Sequence, residues 1–257
     1  MNVSPLLSPY EASYFRTIIG VMRWMVELGR IDIAVEVSQL SYFLAMPRKG
    51  RLLSALQSMS YLKIKHNYRL VLDPSYPGID ISEFKSNENW EPFYGDVHEA
   101  KPMNAPKPLG KKVTLRMFVK SDHAGDKSDR RSRTGFMIFT NMAMISCHTK
   151  KQATVEGAVF GAEFVAMKQG VEAFRGIRFK LRMMGVNIDG PTYVYGDNMS
   201  VIHNNSKPES VLKKKSNSIC YNFVREAVAM RECLTTHVGT ARNCDDLLTK
   251  VLFGKKR

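Results

Sequence analysis

Four carboxylates in the chain are spaced as chemistry on a phosphate would need them. Asp122 lies just past Val113 to Val119, a stretch that alternates like a strand entering a core. Glu163 sits in FGAEFVAM among Phe160, Phe164, Val165 and Met167, inside a helical pattern. Asp197 ends the strand-like YVYGDN, at the strand terminus where ligand sites gather in α/β sheets. Asp246 opens a last helix in NCDDLLTK. Singly, each has a plainer explanation. Asp197 and Asp246 suit helix caps or first-turn acids, and Glu163 suits a partly exposed helix position. Together, carboxylates drawn from separate elements repel one another unless a cation gathers them. Mg²⁺ takes oxygen ligands and keeps waters, so it suits an open carboxylate cluster facing a phosphate. Two such ions about 3.5–4 Å apart activate a water and stabilise the leaving oxygen.

The elements that must position these acids follow a distinct order. After the strand Val113 to Val119 and a polar turn come strands at Gly135 to Thr140 and Ala143 to Cys147, joined at Asn141-Met142. A long helix is expected from about Thr154 to Met184, although Gly157, Gly161 and Gly170 weaken it by up to about 1 kcal/mol each. Thr192 to Tyr195 is a fourth strand, followed by a short helix from Asn198. A helix over Asn217 to Met230, a fifth strand over Leu234 to Val238 and a helix over Cys244 to Lys250 complete the series. A meander followed by alternating helix and strand predicts an α/β layered domain with a mixed sheet, over residues 113–252. Before it, residues 1–76 carry three amphipathic helical patterns, Tyr14 to Leu28, Ile31 to Ala45 and Arg51 to Ile64, then a short strand at Tyr68 to Leu72. Residues 77–112 hold five prolines and little periodicity. They read as an extended linker with aromatic anchors at Phe84, Trp90, Phe93 and Tyr94. Residues 253–257 form a basic tail.

The partner class follows from charge. A net charge of +14 and a pI near 9.7 favour a polyanion. The excess is clustered at Lys111-Lys112, Arg130-Arg131 with Arg133, Lys150-Lys151, Lys213-Lys214-Lys215 and Lys255-Lys256-Arg257. Separated patches suit a surface that follows a phosphate backbone; plain solubility charge is the alternative. The four cysteines show no paired spacing, which points to a reduced compartment, and Cys233, His237 and Cys244 fit no zinc-ligand pattern. No apolar run approaches the roughly 20 residues of a membrane span, and the N-terminus lacks the pattern of a signal peptide. The expected location is intracellular, cytoplasmic or nuclear, with no membrane partner.

Four stretches then carry a resemblance. SDHAGDKSDRRSRTGFMIF, TKKQATVEGAVFGAEFVAM, VYGDNMSVIHN and NCDDLLTK are similar, in order, to the motifs of the ribonuclease H domain of copia-type retrotransposon polyproteins. YFRTIIGVMRWMVELGRIDIAVEVSQLSYFLAMPRKGRLLSALQSMSYLK resembles the end of the reverse transcriptase that precedes that domain. The resemblance implies a ribonuclease H-like mixed five-stranded sheet with flanking helices, preceded by a small mainly helical segment. It implies cleavage of the RNA strand of RNA–DNA hybrids with Mg²⁺, or Mn²⁺, held by Glu163, Asp197 and Asp246. The remainder of the reverse transcriptase polyprotein is a further implied partner. Arg130, Arg131, Lys150, Lys151, Gln152 and Asn198 also match motif positions. Arg130, Arg131, Lys150, Lys151 and Lys213 to Lys215 are the expected nucleic-acid contacts. Helical spacing favours Glu163 over Glu172, nine residues on and about 180° around the helix.

The first motif departs from the family. Where the family has D-A-D-W-A-G-D, this chain reads Lys120-Ser121-Asp122-His123-Ala124-Gly125-Asp126, so Lys120 replaces the leading aspartate. Asp122 shares a strand face with Lys120 but lies about 6.5–7 Å further along, too far for a metal bond near 2.1 Å unless a bulge draws it in. Ser216 stands where the family commonly has histidine, and residues 1–76 hold no Y-x-D-D polymerase motif, so no polymerase activity is expected. The alternative to an active nuclease is therefore an inactive remnant that keeps the fold and at most binds nucleic acid.

Overall fold

The first helix begins five residues before its apolar pattern does, because Ser8 and Pro9 supply a start signal. The computed structural model describes residues 4–85, 88–239 and 242–250, and in it α1 spans Pro9–Glu27. The Ser8 hydroxyl accepts the Glu11 N–H at 3.3 Å while the Glu11 carboxylate accepts the Ser8 N–H at 2.9 Å, a reciprocal cap. Phe15, Ile18, Ile19 and Met22 pack with Ile33, Val37 and Leu40, and with Ala55 and Leu62 of the third helical pattern. That third helix, α3, spans Lys49–Ile64; the second pattern breaks into a 3-10 turn, Ile31–Ile33, and a shorter α2, Ala34–Ser41. No strand forms at Tyr68 to Leu72. These residues find no partner strand, and Val71 stays 68% exposed. An alternating pattern alone does not hold a strand without a neighbour to pair with.

The chain divides into two compact units, Met1–Val71 with Leu247–Arg257, and Leu72–Asp246. In the second unit the proline-rich stretch is fastened at several points. Phe84 is 4% exposed and stands edge-on to Tyr193 and Tyr195, with ring centroids 5.0 and 5.5 Å away. The Thr236 hydroxyl donates to the Glu83 carbonyl at 2.8 Å. Trp90 precedes a single-turn helix, α4 (Glu91–Tyr94), and lies under the Arg225 guanidinium at 4.9 Å. Phe93, expected as an anchor, is exposed. The stretch ends as β1, Leu109–Val113.

Three antiparallel strands follow: β2 (Leu115–Asp122), β3 (Arg133–Thr140) and β4 (Ala143–Lys151). Helix α5 runs over Val159–Met183, and β5 (Val186–Ile188) returns to pair in parallel with β1. Then come β6 (Thr192–Gly196), α6 (Met199–Ser206), α7 (Ser218–Ala229) and β7 (Cys233–His237). A last short helix, α8, spans Asp246–Thr249. With β2–β6 and β6–β7 parallel, the main sheet has the order β4-β3-β2-β6-β7. The resemblance implied a mixed five-stranded sheet with flanking helices, and the structure has one. Its core joins Met117, Val119 and Ile138 of the sheet to Phe164, Met167 and Phe174 of α5. At Gly170, a poor helix former, α5 packs tightly on β2: a Cβ there would meet the Met117 sulfur at 2.7 Å.

Two boundaries differ from expectation in ways that matter for the site. β2 continues through Lys120, Ser121 and Asp122, because β3 begins at Arg133 and offers them Gly135, Thr134 and Arg133 as partners. α5 starts at Val159 rather than Thr154, since Ala158 is extended, at φ −152°. No helix is long and apolar enough to cross a membrane among the described residues. The basic tail at 253–257 lies outside them.

Candidate active site

Sheet register builds the centre of the site. β2 and β6 run parallel with Val119 opposite Gly196, so the next residues along, Lys120 within β2 and Asp197 just past the end of β6, arrive side by side. The Lys120 ammonium donates to Asp197 and lies 3.3 Å from Asp246. The Asn243 side-chain amide donates to the Val119 carbonyl at 3.4 Å, and its oxygen accepts the Asp245 N–H at 3.1 Å. Those two bonds hold the 243–246 segment against β2 at Val119. From the other face, α5 delivers Glu163, whose carboxylate accepts the Ser121 N–H at 2.9 Å. Glu172 points away and pairs with Lys168 at 2.5 Å.

The electrostatics of this group are set by burial and by one internal cation. Burial, and then the charge of Asp197, push the Glu163 carboxyl up to about 8, with Ser121 and Lys120 opposing. Burial and the neighbouring Glu163 raise Asp245 well above the carboxylate range. Burial works against the charge on Lys120, but Asp197 and Asp246 outweigh it and hold the ammonium above its ordinary value. Asp245 was not singled out from sequence. It is fully buried, whereas the side chain of the motif residue Asp246 is 30% exposed. An acidic doublet at a helix start does not reveal which member turns inward.

Asp122 is not brought into the group. No bulge interrupts β2 between Leu115 and Asp122. The Asp122 carboxylate accepts the Arg133 N–H, and a Cβ on Gly125 would collide with it, so it holds the tight loop after β2. Gln152 is buried and its amide donates to the Thr134 hydroxyl at 3.1 Å and the Ala162 carbonyl at 2.9 Å, which ties the end of β4 to α5. Asn198 caps α6, accepting the Val201 N–H at 3.2 Å. Ser216 is exposed and donates to the Asn217 side chain at 3.4 Å.

The basic residues fall into two kinds. Lys151 is inward, between Asp126 at 3.0 Å and Asp129 at 2.9 Å, and Arg131 lies 3.7 Å from Asp129. Arg130, Lys150, Lys213 and Lys215 are exposed, and Lys214 is half-buried. The second kind is the one available to a polyanion.

A divalent ion does not fit these side chains. Such an ion needs carboxylate oxygens converging on one point, and the Lys120 ammonium takes up two of the three expected ligands, Asp197 and Asp246. Among the described residues no group of three or more His, Cys, Asp or Glu is arranged to hold a metal. Two positive charges about 4 Å apart repel by about 4 kcal/mol at an effective dielectric near 20, and a divalent ion by more. An ammonium has no empty orbital, so it neutralises the acids without polarising a water.

Comparison with known proteins agrees with the sequence motifs. The chain is 24% identical over 258 residues to the retrovirus-related Pol polyprotein from transposon RE1 of Arabidopsis thaliana, covering 98% of this chain and 15% of that protein. It is 27% identical over 143 residues to the corresponding polyprotein from transposon RE2 of the same plant, covering 56% of this chain and 10% of that one. The chain thus spans less than a sixth of either relative's length. Among solved structures, the N-terminal RNase H domain of a Mycobacterium tuberculosis protein superposes with a TM-score of 0.42 at 15% identity. That match covers 54% of this chain and 91% of that one. No protein-family model matches the chain.

Proposed function

We propose that this chain, a relative of the retrovirus-related Pol polyproteins of copia-type transposons, carries a ribonuclease H-like domain that binds nucleic acid and does not cleave it. The observation that carries this reading is the Lys120 ammonium between Asp197 and Asp246. The resemblance supplies the rest. Its family hydrolyses the RNA strand of RNA–DNA hybrids through divalent ions, and the residue exchanged here is the leading aspartate of the first motif. Lys120 takes over the neutralising part of the ions' work and none of their Lewis acidity. With the acids held in this way, the domain keeps its fold and its basic exterior. Arg130, Lys150, Lys213 and Lys215 remain to contact phosphates, giving binding that weakens steeply with salt.

The test uses the full chain and an end-labelled RNA–DNA hybrid with Mg²⁺ or Mn²⁺. Salt-sensitive retardation without cleavage is expected. Cleavage by the wild-type chain that disappears in Glu163→Gln would overturn the proposal. Recovery of cleavage in Lys120→Asp supports the assignment of the site. If Lys120→Asp binds hybrid and stays inactive, Ser216 is the next position to restore, to histidine.

A further inference from the structure

A second polar centre lies on α5, one that the site above does not use. Arg175, Arg178 and Arg182 follow one another at helical spacing and line a cavity of about 280 Å³ with Glu99, Glu226 and Glu232. Arg178 is 2% exposed. Its guanidinium donates in parallel to both Glu99 oxygens at 2.8 Å, and its remaining donors reach the Gly190 carbonyl and the Thr192 hydroxyl at 3.2 Å. Arg182 donates to the same two oxygens at 3.3 and 2.5 Å. Glu99 thus receives four N–H groups from two arginines, in the planar forked geometry that guanidinium groups use for carboxylates and phosphates alike.

What delivers Glu99 is a strap with little other hold. Between Gly95 and Pro108 no regular element forms, and Met103 is 100% exposed. The backbone bonds within the strap, Val97 to Gly95 and Ala105 to Pro102, are local. Three arginines face three glutamates around the cavity, so withdrawing Glu99 leaves one net positive charge and two preorganised guanidinium forks. We infer that Arg178 and Arg182 form an oxyanion seat which Glu99 keeps filled, and that a phosphate group takes the seat when Glu99 leaves it. The seat and the strap then form a competitive pair: phosphate binding frees residues 95–108, and a docked strap excludes phosphate.

The test uses the full chain and inorganic phosphate. Calorimetric titration of Glu99→Ala is expected to show saturable phosphate binding at least tenfold tighter than wild type, and Glu99→Ala/Arg182→Ala is expected to lose that gain. A Glu99→Ala chain that keeps its circular dichroism but gains no binding overturns the inference. So does equal binding by the double variant, which would put phosphate on another basic patch. Should Glu99→Ala not fold, two further arms decide. Glu99→Gln, which keeps the shape and drops the charge, must bind phosphate more tightly than wild type. In wild type, phosphate must speed thermolysin cleavage at Met103 severalfold over chloride of equal ionic strength; an unchanged rate overturns the inference. A short single-stranded oligonucleotide in place of phosphate distinguishes the source. Binding by both assigns the seat to nucleic-acid phosphates, and binding by phosphate alone assigns it to a small anion.

Discussion

Replacing Lys120 with methionine removes the charge and keeps most of the volume, so it isolates what the ammonium does. The Lys120 and Asp197 side chains are 6% and 11% exposed, so the pair is shielded from solvent. Breaking one partner of a buried pair costs about 3–5 kcal/mol because the other charge is left without compensation. The expected loss for Lys120→Met is therefore about 3–5 kcal/mol. Hydrogen exchange of the β2 and β6 amides reads it within the second unit, and urea unfolding should show a lowered midpoint with an unchanged slope. A loss below about 1 kcal/mol would refute the assignment of Lys120 as the internal counter-ion.

Three further outcomes follow from the same geometry. Glu163 holds its proton up to about 8 in the folded chain, against 4.5 ordinarily. The stability this adds is complete below about 4.5 and is lost as pH rises through 8. Unfolding free energy should accordingly fall across that window by up to about 5 kcal/mol, and Glu163→Gln, which still accepts the Ser121 N–H, should flatten the slope; an unchanged profile counts against the buried acid. Phe84→Ala should cost about 3–5 kcal/mol, as for a core phenylalanine, by opening the gap beside Tyr193 and Tyr195; a loss near zero on thermal melting would return residues 77–112 to the status of a linker. Lys213→Ala and Lys215→Ala should each lower the salt slope of nucleic-acid binding by about 1, whereas Lys151→Ala, already paired with Asp126 and Asp129, should leave it nearly unchanged; equal slopes for all three would contradict the division of the basic residues.

The sequence carried the strand order, because apolar alternation and turn residues mark each strand separately. It also carried Glu163, since only one face of α5 meets the sheet. What it did not carry was pairing. Lys120 and Asp122 look like a turn until β3 is seen to begin at Arg133. Tyr68 to Leu72 has a strand's alternation and no neighbour to pair with. The proline-rich stretch lacks periodicity because it is bound through single side chains, Phe84, Trp90 and Glu99, rather than along a face. Asp245 escaped notice because a doublet of acids has no period, and its burial follows from the Asn243 tether to β2.

The central claim is that the Lys120 ammonium fills the place a divalent cation would need. Titrating Mn²⁺ into the full chain, with the free-ion paramagnetic resonance signal as readout, tests this without relying on cleavage. Wild type should leave the signal as strong as an Asp197→Asn control does, and Lys120→Asp should take up Mn²⁺ saturably. Stoichiometric Mn²⁺ uptake by wild type that disappears in Asp197→Asn would contradict the account.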